Sequence, residues 1–203
     1  MGGMDSAAGG PLRPDDDHDG ETFTGDLTGQ HAENTRFLEC AFRDCDLSEV
    51  RAPRARFAET SWYAVRGAGV DLAESTWLDC VVSGGRLGAV QLHGAELRRV
   101  RFEGCKIEFL NLRSAKLADC EFVDCQLVEP DFAEASLEKV GFEGTRLVAA
   151  DFRAARLKSV DLTRAELVAP SGLTGLKGAT VSRLQLIDLA DALATELGIT
   201  VAD

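Results

Sequence analysis

The stretch from residue 115 to residue 134, AKLADCEFVDCQLVEPDFAE, decides the fold. Every fifth residue in it is Leu or Phe, beginning at Leu117. The same phase runs without interruption from Leu27 to Leu167, and Leu or Phe fills 22 of its 29 positions. The residue two before each of these positions is never charged and is mostly Ala, Val or Cys. A period of five fits neither a helix nor a flat strand, so the backbone must turn a corner every five residues and point two side chains inward.

The repeating unit reads as a small residue, then Asp or Asn, Leu or Phe, a polar residue and a variable one. CDLSE at residues 45–49 and VDLTR at residues 160–164 fit it well. This repeat resembles that of the pentapeptide-repeat proteins. The resemblance implies an all-β fold: a right-handed quadrilateral β-helix in which four repeats form one square coil. Residues 25–169 would form about seven coils which, stacked at the spacing of paired strands (~4.8 Å), give a rod roughly 35 Å long.

The two ends of the chain lie outside the repeat. Residues 1–24 are rich in Gly, Pro and Asp, which predicts a disordered acidic tail with His18 in a solvated run of charge. Residues 170–203 read as a turn-rich connector and a C-terminal helix, because Ser182 and Gln185 can form a capping box. This helix is expected to cap the rod, and the resemblance implies that it also forms a homodimer. The predicted dimerisation face consists of Leu186, Ile187, Ala190, Leu193, Ala194 and Leu197.

Charge restricts the partners that the chain can have. The net charge of −12 argues against direct binding to nucleic acid or to an anionic membrane, since both require a basic surface. No run of 18 apolar residues is present, so no membrane span is predicted. Acidic residues concentrate in a belt near the C-terminal end of the rod. The predicted partner-binding carboxylates are Asp119, Glu121, Asp124, Glu129, Asp131, Glu134, Glu138 and Glu143.

The residues that could carry chemistry indicate a non-enzymatic protein. All six cysteines fall on the inward small position, so they are predicted to fill the core and not to bind metal. Cys105 and Cys125 are one coil apart, which makes a disulfide conceivable, but the absence of a recognisable secretion signal predicts a reducing cytoplasm. Trp62 and Trp77 are interpreted as compensating for small neighbours in the core, with a ligand-binding role as the alternative. No catalytic, cofactor, metal or small-molecule site is predicted.

The resemblance extends to the gyrase-targeting branch of the family, the Qnr-type quinolone-resistance proteins and mycobacterial MfpA. It implies that the chain occupies the DNA-binding surface of a type II topoisomerase, DNA gyrase, by partial DNA mimicry. The acidic belt would then contact the basic surface that grips DNA phosphates. Such binding would modulate the enzyme or protect it from quinolones or toxins.

A general protein-interaction scaffold, unrelated to DNA topology, is the alternative function. Val128, Val148 and Val168 are spaced by 20 residues and would stack on one side of the rod at an outward position. With Phe109 nearby, they predict an outer apolar strip. The strip could hold another protein or seat the chain's own C-terminal helix.

Overall fold

A computed structural model describes residues 9–202 as a four-sided parallel β-solenoid of about eight coils, followed by two short helices. Strands pair in parallel with strands 20 residues away, as Phe57 pairs with Phe37 in one direction and with Trp77 in the other. One coil therefore uses four five-residue repeats, and each repeat contributes to one of four faces. The predicted all-β, four-sided β-helix is confirmed.

The four faces are numbered here in the order in which the chain visits them. Face 1 contains the strands Asp17–Asp19, Arg36–Leu38, Arg56–Ala58, Thr76–Leu78, Glu96–Arg98, Lys116–Ala118, Ser136–Glu138 and Arg156–Lys158. Face 2 contains Thr22–Asp26, Ala41–Asp46, Ser61–Tyr63, Val81–Ser83, Arg101–Glu103, Glu121–Val123, Gly141–Glu143, Val160–Asp161 and Ala179–Thr180. Face 3 contains Arg66–Gly67, Arg86–Gln91, Lys106–Asn111, Gln126–Val128, Arg146–Val148 and Glu166–Val168. Face 4 is held by the short strand Val70–Asp71 and by single bridges such as Asn111 to Asp131.

The corners between faces depend on left-handed backbone. The residue two after the inward central residue of each repeat has a positive φ at most corners, for example 58° at Asn34 and 54° at Asp119. This conformation costs a residue with a Cβ about 1 kcal/mol or more, so the stacking of coils must offset it. The strands Arg86–Gln91 and Lys106–Asn111 instead run straight through the corner between faces 3 and 4.

The inward residues stack into continuous columns. On face 2 the rings of Phe102, Phe122 and Phe142 lie parallel, with centroids 4.8 and 5.0 Å apart. Trp62 and Trp77 are buried in the same core, and their indole N–H groups donate to the hydroxyls of Thr60 and Ser75, each two residues earlier in the chain. Both tryptophans are therefore core residues, which agrees with the interpretation that they compensate for small neighbours. All six cysteines are buried as well.

The expectation that residues 1–24 form a disordered tail is wrong for residues 9–24; residues 1–8 lie outside the described part of the chain. The strands Asp17–Asp19 and Thr22–Asp26 build a first coil on faces 1 and 2. His18 is not solvated: its ring is buried against Phe37, and its Nδ1 lies 3.1 Å from the Glu21 carboxylate. The coil forms because burial of apolar and aromatic surface outweighs the acidic composition of the segment.

The solenoid also continues beyond residue 169. Ser171 bridges to Asp151, Leu173 is buried within a 3₁₀ helix (Leu173–Leu176), and the strand Ala179–Thr180 pairs with Val160–Asp161. The segment predicted to be a connector therefore continues the stack of coils with a sequence that lacks the five-residue period.

Two helices, α1 (Arg183–Asp188) and α2 (Ala190–Glu196), replace the single predicted helix. The predicted capping box at Ser182 and Gln185 is present at the start of α1. The helices meet at Leu189, whose side chain is buried. No helix within residues 9–202 is long and apolar enough to cross a membrane.

Candidate protein-binding surface

The eight carboxylates of the predicted acidic belt lie on outward positions around the rod. Three of them occupy faces 1 and 2, one occupies face 4, and the other four stand at corners. The arrangement surrounds the rod and leaves no single acidic face. In order of these positions the residues are Glu138, Glu121, Glu143, Asp131, Asp119, Asp124, Glu129 and Glu134.

Six of these eight carboxylates form ion pairs with bases on the rod. Lys139 Nζ lies 3.4 Å from Asp119, and Lys158 Nζ lies 2.6 Å from Glu138, whose pKa is held below its usual value by this hydrogen bond. A single arginine, Arg113, contacts two further members of the belt. The complete set of pairs is Asp119–Lys139, Glu121–Arg101, Asp131–Arg113, Glu134–Arg113, Glu138–Lys158 and Glu143–Arg164.

The belt is therefore less negative than its sequence count indicates. Four of the five bases that neutralise it, all except Lys139, lie outside residues 119–143 and reach it from neighbouring coils or repeats. Within residues 9–202, Asp124 and Glu129 are the members of the belt with no ion pair to Lys, Arg or His. A sum of charge along the chain cannot detect pairing between coils.

Ion pairing one coil apart is a general feature of the rod. At the corner between faces 1 and 2, Asp79, Arg99, Asp119 and Lys139 follow one another at 20-residue intervals and alternate in sign. Arg99 Nε lies 2.6 Å from the Asp79 carboxylate, and this hydrogen bond lowers the pKa of Asp79. Exposed pairs of this kind contribute little to stability, so their main effect is to remove outward charge.

The N-terminal end of the rod carries an acidic surface, of which residues 9–24 had been predicted to be part of a disordered tail. Residues 9–50 contain eleven carboxylates and three arginines, a net charge of −8 with histidine neutral. Arg36 forms a bidentate pair with Asp17 at 2.6 and 2.8 Å. Glu39, Asp44 and Glu49, at successive corners, have no ion pair within the described chain. Fixed carboxylates on a folded coil produce a stronger local field than the same charges on a flexible tail.

The C-terminal helices fasten the last coil and leave an apolar surface outside. Gln185 Nε2 donates to the carbonyl oxygens of Leu162 and Ala165 at 2.6 and 2.7 Å, which satisfies two acceptors at the open end of the solenoid. The Glu196 carboxylate accepts hydrogen bonds from the N–H groups of Leu173 and Thr174. The helices thus cap the rod.

The predicted dimerisation residues divide into two groups. Leu186, Ile187, Ala190 and Leu197 are exposed, whereas Leu193 and Ala194 are partly buried. The predicted set omits Leu184, which is exposed on the same helical segment. Leu189, which the apolar pattern places beside this face, is buried and anchors the helices. The helical period alone could not separate the side that faces the rod from the side that faces outward.

The three valines of the predicted apolar strip pair in register, but their side chains are partly buried. Val128 pairs with Val148 and Val148 with Val168 on face 3, and all three side chains are only partly exposed. Phe109 is half exposed at the corner between faces 3 and 4. The strip therefore presents little free apolar surface apart from Phe109.

The cysteines are free thiols in the core. Burial raises the pKa of Cys45 and of Cys120 to about 11. Cys105 and Cys125 lie in contact, and their mutual hydrogen bond together with burial raises the pKa of Cys125. No group of three or more His, Cys, Asp or Glu side chains in residues 9–202 is arranged to hold a metal ion.

The fold and the surface define a class of protein, a four-sided β-solenoid with a capped C-terminal end. Residues 95–169 match the family model described as a pentapeptide repeat region, and this confirms the resemblance drawn from the repeat. The chain therefore carries a pentapeptide repeat region over residues 95–169. No curated protein matches the chain.

Solved structures of similar architecture share little sequence with this chain. HetL, a pentapeptide repeat protein involved in heterocyst differentiation regulation from the cyanobacterium Nostoc sp. strain PCC 7120, is 15% identical with a TM-score of 0.44, covering 84% of this chain and 92% of its own. A trypsin-treated variant of QnrB1, a plasmid-mediated fluoroquinolone resistance protein, is 20% identical with a TM-score of 0.43, covering 92% and 90%. Full-length QnrB1 is 19% identical with a TM-score of 0.38, covering 90% and 100%.

Proposed function

We propose that this chain is a non-enzymatic binding protein that acts as a dimeric acidic rod on a type II topoisomerase of the DNA gyrase kind. The observation that carries the proposal is the excess of outward carboxylates that no base neutralises, largest in residues 9–50. A rod with this charge is attracted to a basic surface that otherwise binds DNA phosphates. Action on gyrase also implies a cytoplasmic location.

The structure changes which carboxylates the proposal relies on. Because six members of the acidic belt are ion-paired, their contribution to an external partner is small. The unpaired carboxylates Asp124 and Glu129 remain, together with Asp44 and Glu49 at the N-terminal end. These four residues are the proposed contacts.

Gyrase supercoiling with increasing amounts of purified protein, with and without a fluoroquinolone, tests the proposal. We expect inhibition at micromolar protein, or relief of drug-stabilised DNA cleavage. The double variants Asp44→Asn/Glu49→Gln and Asp124→Asn/Glu129→Gln should each weaken the effect severalfold, and added salt should weaken it steeply.

The matched control is Asp119→Asn/Lys139→Gln, which removes an ion pair and leaves the net charge unchanged. It should behave like the wild-type protein. No effect of the wild-type protein on supercoiling or on cleavage would disprove the topoisomerase role.

Dimerisation is proposed to occur through the exposed apolar surface of α1 and the turn after α2. Leu184, Leu186, Ile187 and Leu197 expose half or more of their side-chain surface, which is unusual for a surface in contact with water only. A symmetric dimer would bury this surface against its own copy. Sedimentation of Leu186→Asp/Ile187→Asp should give a monomer, whereas Phe109→Asp should leave the dimer intact.

A general interaction scaffold remains the second candidate, and one observation favours it. The rod exposes a second apolar surface away from the C-terminal helices, at the edge between faces 1 and 2. Binding through apolar contacts should survive added salt, which separates this candidate from charge-driven binding to a topoisomerase.

A further inference from the structure

Exposed large hydrophobic side chains are concentrated at one edge of the rod. Among residues 9–169, three of the five that are most exposed lie beside the corner between faces 1 and 2: Leu38 (42% exposed), Leu78 (37%) and Val81 (40%). A fourth, Tyr63 (56%), lies at the far end of the face 2 strand Ser61–Tyr63, next to the corner residue Ala64. The fifth, Phe109, lies elsewhere on the rod. Single exposed apolar residues are ordinary, but such a cluster on three successive coils is typical of a binding surface.

Strand register brings these side chains together. On face 1, Ala58 pairs with Leu38 on one side and with Leu78 on the other. On face 2, Ser61 pairs with Val81, and Tyr63 is two residues further along its strand. Ser61 also pairs with Ala41 on its other side, so the small side chains of the central coil leave a shallow notch bordered by Leu38, Leu78 and Val81. We call the set Leu38, Ala58, Ser61, Tyr63, Leu78 and Val81 the edge patch.

The corner residues beside the edge patch do not alternate in charge, unlike the corner residues of the later coils. From Asp79 toward the C-terminal end, as far as Lys139, the residues at this corner alternate in charge. Up to that point, Glu39, Glu59 and Asp79 are successive acids. Asp79 is neutralised by Arg99, whereas Glu39 and Glu59 have no ion pair within residues 9–202. Arg43, which pairs in register with Tyr63, makes no ion pair with either of them.

Stacked like charges have an energetic consequence. Neighbouring coils lie about 4.8 Å apart, so two carboxylates at equivalent positions repel each other and destabilise the stack. A cationic group placed between them would remove the repulsion. Apolar exposure and unpaired negative charge therefore coincide on the same three coils.

We propose that the edge patch binds a partner protein through a segment in which a lysine or arginine is flanked by apolar residues. The cation pairs with Glu59 and Glu39, and the flanking apolar side chains enter the notch above Ala58 and Ser61. This inference goes beyond the proposed action on a topoisomerase. It concerns a different surface from the C-terminal helices and from Asp124 and Glu129, although Asp44 follows Arg43, which pairs with Tyr63 of the patch.

The probe is a synthetic peptide of about ten residues with Leu-Lys-Leu at its centre in a Gly-Ser background. Its titration into the ¹⁵N-labelled full chain should shift backbone resonances at the edge patch, at Glu39 and at Glu59. The variant Leu78→Ser/Val81→Ser should weaken binding about tenfold. Glu59→Lys should reverse the preference, so that a Leu-Glu-Leu peptide binds better than Leu-Lys-Leu.

Two controls match these variants in exposure and backbone conformation. Phe109→Ser removes an exposed apolar side chain outside the patch, and Glu49→Gln neutralises a corner carboxylate with φ 58°, close to the 52° of Glu59. Neither should change peptide affinity. The charge-reversal variant keeps the test decisive if Leu78→Ser/Val81→Ser fails to fold.

Three results would overturn the proposal. The first is the absence of resonance shifts at millimolar peptide, or shifts that map to another surface. The second is equal binding of the Lys and Glu peptides to the wild-type chain. The third is concentration-dependent self-association, without peptide, that Leu78→Ser/Val81→Ser abolishes, because a second copy of the chain would then occupy the patch. A negative result here leaves the supercoiling assay unaffected.

Discussion

The imidazole ring of His18 lies flat on the ring of Phe37, with centroids 5.1 Å apart and planes within 13° of each other. Phe37 in turn stacks on Phe57 at 5.0 Å. His18 therefore continues the inward column of face 1 and is its first member within residues 9–202. A solenoid core is open at both ends, so the residues that cover it contribute more than their number indicates.

Replacement of His18 by Ala should destabilise the rod by about 2 kcal/mol, because it removes a buried ring and opens the first column to water. Chemical denaturation followed by circular dichroism measures the change. His31→Ala is the control, since His31 lies exposed on face 4. An equal stability of the two variants would contradict the role of His18 as the end of the core.

Replacement of Gln185 by Ala should cost about 1–3 kcal/mol, because two carbonyl acceptors of the last coil lose their donor. The same side chain also completes the capping box, so α1 should fray. Hydrogen exchange at residues 160–190 reports both effects. Gln126→Ala, an exposed outward position on face 3, should leave exchange unchanged.

The six cysteines should react slowly with a thiol reagent at pH 8 in the native protein and fully in concentrated guanidinium chloride. Their burial blocks access, and it raises the pKa of Cys45 and Cys120 to about 11, which suppresses the reactive thiolate. The protein denatured without added reductant should react with six equivalents of the thiol reagent per chain. A count of four would mean that Cys105 and Cys125 are joined by a disulfide.

Acid should destabilise the rod through carboxylates such as Asp151. The hydrogen bond from Arg153 holds the pKa of Asp151 below its usual value, so the carboxylate binds a proton less readily in the folded chain than in the unfolded one. Its contribution to stability is therefore complete above about pH 5 and is lost as the pH falls below about 4.

Urea denaturation at pH 7 and at pH 3 measures this dependence. Asp151→Asn should reduce the difference in stability between the two pH values. Asp124→Asn, which removes a carboxylate without an ion pair, should reduce it less. A larger reduction for Asp124→Asn would contradict the assignment.

The five-residue period predicted the core of the rod from Leu27 to Leu167 but missed the first coil. His18 pairs with Phe37 and Phe23 pairs with Phe42, an offset of 19 residues instead of 20. The first coil is one residue short near Gly25, where the inward residues Phe23 and Leu27 are four residues apart instead of five, the register shifts and φ is 82°. A search in one fixed phase cannot see past such a deletion, and the run of aspartates further obscured the strands.

The binding surfaces were harder to predict than the core. Whether a carboxylate such as Glu138 is free depends on Lys158, 20 residues away on the next coil. Inward positions follow from the period because every coil buries the same register. Whether an outward charge is neutralised depends on the side chains of the neighbouring coils, and a count of charge along the sequence does not take these into account.

The alternating corner Asp79, Arg99, Asp119 and Lys139 has a consequence for how such a rod can change length. Loss of the single coil that carries Arg99 would place Asp79 directly against Asp119, and duplication of any one coil would set a charge against its own copy. Removal of two adjacent coils would set Asp79 against Lys139 and restore attraction. This part of the molecule therefore obeys a parity rule: in a lineage of related chains, coils should be gained or lost there in pairs, and odd changes should be accompanied by charge reversals in the same row.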